Sequence, residues 1–276
     1  MTVTASAFTT ITELVRSRSG IAVAAGKEYL LQSRLQPLLH DHELANLEEL
    51  ATRLDRDPSG ELSDSVVDAM TTNETLFFRE PKQFTALRKE VIPKLVATGR
   101  APRMKIWSAA CSSGQEPYSL AMLLSECIPE ITRRSGHVVA TDISPTMVAR
   151  TRDALYSQLE INRGLPPESL SRSFQREGAR WRVAEPLRRL VESRVLNLVE
   201  PWSQLPTFDF IFLRNVLIYF DQDTKRDVLE RVHAQLDPDG FLFLGGSEST
   251  VNLTDRFERL VLCGATVYRP RRGGGS

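Results

Sequence analysis

The stretch Lys105–Ser119, KIWSAACSSGQEPYS, constrains the fold more than any other part of the chain. Ile106 and Trp107 are strand formers, and the residues from Ala109 to Gly114 are small. Pro117 suits the first turn of a helix, where its missing N–H costs nothing. A strand, a stripped-down loop and a helix start, in that order, is how α/β proteins build nucleotide pockets. Glu116 narrows the ligand. A helix N-terminus carries partial positive charge and suits phosphate. A carboxylate placed there repels phosphate and attracts a cation. The loop also offers one glycine, Gly114, where a dinucleotide fingerprint wants three.

From about residue 100, short apolar runs alternate with helical stretches. KIWSAA, HVVATDI, RVLNLV, FDFIFLRN and GFLFLGG read as strands. Residues 118–128, 145–156 and 224–236 read as helices between them. This alternation implies a mostly parallel sheet with helices on both faces. FERLVLCGATVYRP can close as a terminal hairpin. Residues 163–194 break the rhythm with eight arginines and four glutamates, a net charge of +4. That is too long for an ordinary connection and marks a small subdomain or functional loop, or else a solvated charged face. The first 70 residues read as helices. Phe8, Ile11, Leu14 and Val15 recur at helical spacing, as do Leu44, Leu47, Leu50 and Leu54, and a further helix runs through Val66, Val67 and Met70. In KEYLLQSRLQPLL, Leu30, Leu38 and Leu31 fall at about −60°, +20° and +40° from Lys27, with Arg34 at about −20°. Lys27 and Arg34 thus lie within that apolar arc, either snorkelling from a core edge or forming a cationic face.

Bulk properties exclude several classes. The 276 residues carry 35 basic and 35 acidic side chains, so nothing pulls the chain toward nucleic acid or an anionic membrane. No N/D-P-P-Y-type motif of nucleic-acid methylation is present. Cys111, Cys127 and Cys263 are scattered, and the four histidines have no ligand spacing, so no disulfide framework or metal site is expected. No leader or spanning segment is evident, and a cytoplasmic location is expected. RRGGGS reads as a flexible tail.

In open α/β sheets ligands bind beyond the carboxyl ends of the strands. That rule selects Glu116 after the first strand and Asp142 after the second. Asp142 can accept ribose hydroxyls or help cap the helix that Ser144 and Pro145 begin. After the third comes Asn197, either a turn residue or an amide for an adenine edge. After the fourth come Arg214, Asn215 and Tyr219. S-adenosylmethionine, a nucleoside with a sulfonium, an ammonium and no phosphate, suits this set better than a nicotinamide dinucleotide. TTNETLFFRE, residues 71–80, can be a capping box on Thr71 and Glu74 with Phe77 and Phe78 in the core.

Taken together, TTNETLFFRE, IWSAACSSGQEPYSLAM, TDIS, LNL, RNVLIYF and GGSE closely resemble the chemotaxis receptor methyltransferases, the CheR family, in that family's motif order and over nearly the whole chain. The resemblance implies a class I methyltransferase domain (α/β, Rossmann-like, mostly parallel sheet) behind an N-terminal all-helical domain, with a small antiparallel β insertion. The implied limits are 1–70 for the helical domain, 71–100 for a linker and cofactor-covering motif, 101–270 for the methyltransferase domain with its insertion at about 163–194, and 271–276 for the tail. It implies methyl transfer from S-adenosyl-L-methionine, leaving S-adenosyl-L-homocysteine, to glutamates on chemoreceptor cytoplasmic helices. Cofactor contacts fall on Asn73, Thr75, Arg79, Glu116, Asp142, Asn197, Leu198, Asn215 and Val216. The resemblance also implies that Arg79 and Tyr219 sit nearest the transferred methyl. A monomer without nucleic-acid partners or membrane insertion is expected. Family members that grip a receptor C-terminal pentapeptide carry a longer glycine-bearing loop where this chain has FQREGARWRV, so docking here is expected to be pentapeptide-independent. Lys27, Arg34 and the 163–194 segment are expected to face an acidic receptor, with docking that weakens in salt. The alternatives are a class I methyltransferase acting on another carboxylate and a non-catalytic S-adenosylmethionine-binding scaffold.

Overall fold

A computed structural model describes residues 3–133, 135–202 and 204–271, so most of the expected tail lies outside the described residues. These residues form two units. The first comprises the chain up to Thr72 with Asn197–Pro201 and Tyr219–Lys225; the second comprises Asn73–Leu196, Trp202–Ile218 and the chain from Arg226 onward.

In the first unit four helices, α1 (Ala5–Ser19), α2 (Glu28–Asp41), α3 (Leu47–Arg56) and α4 (Glu61–Met70), enclose one apolar core. Caps set their ends. Thr4 Oγ1 accepts from Ala7 N at 3.3 Å, Asn46 Oδ1 accepts from Glu49 N at 2.9 Å, and Gly20 closes α1 at φ 75°. Ile11, Leu14, Val15, Leu44, Leu47, Leu50, Leu54, Val66, Val67 and Met70 are buried as their spacing requires, while Phe8 is only half-buried. The apolar face of α2 is rotated from the expected arc. Leu31, Leu35 and Leu39, each one turn apart, are the buried residues, whereas Leu30 and Leu38 are half-buried. Arg34 therefore leaves the arc. Its guanidinium donates to the Met70 and Thr71 carbonyls at 2.5 and 3.0 Å and to Thr72 Oγ1 at 2.7 Å, satisfying the end of α4. Lys27 is exposed at the start of α2.

Two later segments complete this unit. Ile21 bridges Phe220 antiparallel, Ala22 N donates to Tyr219 O at 2.8 Å, and Arg16 pairs with Asp221 at 2.7 Å.

The second unit begins with the 73–80 strap, α5 (Pro81–Ala86), a π-helical turn and α6 (Ile92–Ala97). Then come β1 (Ile106–Ala109), α7 (Gln115–Cys127), β2 (Val138–Asp142) and α8 (Pro145–Asp153). Next are β3 (Leu155–Ser157), α9 (Gln158–Asn162), α10 (Pro167–Ser173), β4 (Phe174–Glu177), β5 (Arg180–Val183) and α11 (Glu185–Arg188). β6 (Val191–Val195), β7 (Phe208–Leu213), α12 (Gln222–Gln235, whose residues up to Lys225 belong to the first unit), β8 (Leu236–Leu244), β9 (Phe257–Leu262) and β10 (Ala265–Pro270) follow.

The large sheet has the order β6-β2-β1-β7-β8-β10-β9, parallel from β6 through β8, with β10 antiparallel to both neighbours. This is the doubly wound arrangement expected of a class I methyltransferase. Its central strands β1 and β2 are buried along their whole length, as strands covered on both faces are. Phe212 and Phe243 stack at 4.4 Å across β7 and β8. The terminal hairpin forms, turning on Cys263 and Gly264 at φ 46° and 74°.

A second, three-stranded antiparallel sheet has the order β3-β5-β4. It begins earlier than the arginine-rich segment. The helix expected to reach Tyr156 stops at Asp153, because Ala154 turns left-handed at φ 51° and Leu155 starts β3. The strand expected over RVLNLV is also displaced. β6 ends at Val195, and its polar Glu192, Ser193 and Arg194 suit a sheet edge.

Gly164, at φ 88°, lets the strap pass. A Cβ there would lie 2.1 Å from Phe77 O. Gly164→Ala is expected to destabilise the protein by about 2 kcal/mol or more. A lowered thermal midpoint checks it; an unchanged midpoint would contradict this close approach.

Candidate active site

Three loops at the carboxyl ends of β1, β2 and β7 build the site. In the first, Ala110, Ser112 and Gly114 are all left-handed, at φ 56°, 51° and 95°. Two of them carry a Cβ, so the loop is strained and must be held. Cys111 N donates to Thr141 O at 2.9 Å, and Ser112 N donates to Asp142 Oδ2 at 2.8 Å. Asp142 Oδ1 accepts from Ser144 N at 3.0 Å, while Ser144 Oγ caps α8 through Met147 N at 3.1 Å. Asp142 thus helps start α8, as one reading of its position expects, and also holds the loop after β1. Ser112 Oγ donates to Asn73 O at 2.7 Å, tying the strap to the loop.

Glu116 stands in the first turn of α7. Its Oε1 accepts from Ser108 Oγ of β1 at 2.7 Å, and its Oε2 accepts from Arg214 Nη1 at 2.9 Å. The Arg214 side chain is 1% exposed. Its Nη2 donates to Arg79 O at 2.5 Å, Glu80 Oε2 lies 3.5 Å away, and the guanidinium sits 5.9 Å from the Phe84 ring centroid. Burial pushes the Glu116 carboxyl above its ordinary range, opposed by the Arg214 charge and the Ser108 hydrogen bond. The residue expected to meet a cationic ligand already holds a guanidinium. Two of its roughly four acceptor sites remain for an ammonium.

Asn215 is left-handed at φ 57°. Its N–H and that of Gly245 donate to Glu248 Oε2 at 2.7 Å each, and Ile218 N donates to Oε1 at 3.2 Å. Glu248 of the GGSE motif therefore joins the loops after β7 and β8. The strap is not a capping box. Thr71 ends α4, and Glu74 pairs with Arg163 at 2.9 Å. Phe77 is buried against Tyr156 and Phe174, while Phe78 and Glu80 are left-handed at φ 50° and 60°. Arg79 Nη1 donates to Glu74 O at 3.2 Å. Thr75 and Val216 are half-buried.

Within one unit Ser112 thus bonds Asn73 and Asp142, Arg214 bonds Arg79 and Glu116, and Glu248 holds Asn215. Asn197, Leu198 and Tyr219 belong to the other unit. Asn197 behaves as a turn residue there. Its Nδ2 donates to Arg18 O at 2.6 Å and Glu200 Oε1 at 3.0 Å, and its Oδ1 accepts from Val199 N at 3.2 Å. Leu198 is buried and Tyr219 half-buried. Arg214, Ser108 and Glu248 carry roles that sequence reasoning did not give them. The signal for Arg214 was a charge directly following six strand residues, since a buried charge demands a partner.

The profile of the CheR methyltransferase all-alpha domain matches residues 6–71, and that of the CheR methyltransferase SAM binding domain matches residues 73–263. The chain belongs to the CheR methyltransferase family. Chemotaxis protein methyltransferase 1 of Pseudomonas aeruginosa is 43% identical over 258 residues, covering 91% of this chain and 93% of that protein. Chemotaxis protein methyltransferase Cher2 of Pseudomonas putida is 41% identical over 257 residues, with 91% and 93% covered. The chemotaxis protein methyltransferase of Salmonella typhimurium is 36% identical over 267 residues, with 95% and 88% covered. This CheR protein is a methyltransferase that uses S-adenosylmethionine. The site suits that cofactor. Glu116 and Asp142 keep acceptor capacity for an ammonium and a ribose diol, and the glycine-poor loop with a carboxylate behind it disfavours phosphate. Among the described residues no cluster could hold a metal ion, and no helix is long and apolar enough to cross a membrane.

Arg214→Ala would leave Glu116 buried against Ser108 alone, at a cost of about 3–5 kcal/mol, and adding Glu116→Gln should recover part of it. Urea unfolding of both variants checks this. The raised Glu116 pKa also fixes a sign. Above the ordinary value of 4.5 the unfolded chain has released a proton that the folded protein still binds. Stability contributed by this group therefore falls as pH rises through that window and levels above the folded pKa. Glu116→Gln should flatten that slope in unfolding measured across the window.

Proposed function

We propose that this CheR protein transfers the methyl group of S-adenosylmethionine to glutamate side chains on the cytoplasmic helices of chemoreceptors, forming glutamyl methyl esters for chemotactic adaptation. The observation that carries this reading is the chemistry of the linked site residues. With their bonded partners they include the carboxylates Glu80, Glu116, Asp142 and Glu248, each engaged by internal donors, and the arginines Arg79 and Arg214, with no histidine or lysine to serve as a general base. Cys111 is no substitute, because burial pushes its thiol well above its ordinary pKa. An alcohol or amine acceptor needs a proton removed. A glutamate, with a reference pKa of about 4.3, is already ionised near neutral pH.

The cofactor supplies an electrophilic methyl on a sulfonium. Attack by a carboxylate yields two neutral products, so the transition state is less charged than the reactants. The protein gains most by aligning the acceptor and excluding water. In this reading Glu116, Asp142, Asn73, Thr75, Asn215 and Val216 hold the cofactor. Arg79 also binds it and steers the carboxylate. Within the small sheet, Gly178 and Ala179 alone join β4 to β5. That short turn supports receptor docking without a C-terminal pentapeptide. Part of the arginine-rich charge is already neutralised, Arg182 by Glu177 and Arg189 by Glu185 at 3.2 Å.

Incubation with methyl-labelled cofactor and a receptor cytoplasmic fragment should give label that base releases as methanol, at equal rates with and without the receptor's last residues. Arg79→Ala should lower turnover by about tenfold or more. Base-stable label would sink the ester assignment. Unchanged turnover and unchanged cofactor affinity in Arg79→Ala would remove its role.

A further inference from the structure

A second concavity opens beside the site, at the carboxyl end of β8. It encloses about 690 Å³ between the start of α5, the loop after β8, and β9–β10. It shares Glu80 and Glu248 with the network described above, so whatever fills it lies next to the Arg214 and Asn215 loop.

Its charge is decided by which side chains are already engaged. Glu248 accepts three backbone N–H groups. Glu80 accepts from Gly246 N at 2.9 Å and Gln83 Nε2 at 2.9 Å, and lies near Arg214. Both carboxylates are therefore engaged by internal donors. The two cations in the walls are not. Lys82 is exposed and enters no ion pair among the described residues. Arg259 is exposed and spends one N–H on Thr266 Oγ1 at 3.2 Å. Among the described residues Lys82 and Arg259 are thus the wall cations without a carboxylate partner, and the lining also includes Gly245, Gly246 and Val251, which is 65% exposed. Its size suits several side chains of a polypeptide rather than one ion.

The geometry points to an acceptor-recognition subsite in which Lys82 and Arg259 receive an acidic side chain of the protein substrate, distinct from the glutamate that is methylated. The inference rests on the methyltransferase reading above and adds to it a specificity element. The occupant is an acidic polypeptide segment of the acceptor, chosen by charge complementarity with these two cations and by the shared wall with the reacting site. The enzyme then prefers glutamates that have acidic neighbours, and it does so through residues that do not touch the cofactor.

The test uses the full chain with Lys82→Glu, Arg259→Glu and the double variant. Thermal midpoint and S-adenosylmethionine Kd serve as controls for folding and the cofactor site. With a receptor cytoplasmic fragment as acceptor, the double variant should raise KM for the acceptor by roughly tenfold or more at low salt and flatten its salt dependence, with cofactor Kd unchanged. In parallel, a fluorescein-labelled helical peptide with glutamates spaced i, i+4 is titrated by anisotropy, against the same peptide with glutamines. Wild type should bind the acidic peptide, and the double variant should lose that binding. Unchanged KM, equal binding by the variant, or equal binding of the glutamine peptide overturns the subsite even when base-labile methyl is formed. If wild type forms no such ester, the function proposed above fails, and the peptide titration alone decides the subsite.

Discussion

The ion pair between Glu116 and Arg214 is the constraint on which the rest of the catalytic unit depends. Arg214 is almost wholly enclosed, so its charge must be matched locally or not be there at all. One guanidinium reaches the first turn of α7, the backbone of the strap and the carboxylate that starts α5. Those elements come from positions 79–80, 116 and 214, and they meet because β1 and β7 pair in parallel with Ala109 opposite Leu213. A parallel sheet brings distant strand ends together on one edge, and the ion pair fixes the loops that leave that edge.

Carboxylates do similar work at two further points. Asp142 holds the loop after β1, and Glu248 holds the loops after β7 and β8, each by accepting backbone N–H groups. The backbone they hold is in uncommon conformations, left-handed at Ala110, Ser112 and Asn215. Such residues persist only where surrounding bonds over-determine them. Acidic residues at this sheet edge are therefore scaffold as well as ligand-facing groups, a dual use that their positions after strands do not reveal.

The strand–loop–helix at 105–119 and the alternation after residue 100 were legible because apolar period and small-residue loops are local signals. So were the buried faces of α1, α3 and α4. What misled was local too. RVLNLV looks like a strand because it is apolar, yet the edge strand is the more polar run before it, where one side needs no apolar cover. Arg34 falls within an arc drawn on Leu30, Leu31 and Leu38, but the buried Leu35 and Leu39 turn the apolar face away from it. Nothing in the sequence signals that Ala154 turns left-handed and cuts α8 short. The partner of Glu116 could not be read at all, since it depends on strand pairing across about a hundred residues.

The membership of the first unit was likewise hidden by sequence order. Gly20 packs against Val199 and Phe220, and Ile21 bridges Phe220, although some 180 to 200 residues separate them. The helical part is therefore not a detachable preface. A shortened chain starting at residue 73 would keep Val199 and Phe220 but lose the surface that covers them. The portion that looks self-sufficient as a catalytic module would then emerge with sticky apolar segments, and its solubility would be decided at positions far from any reacting atom.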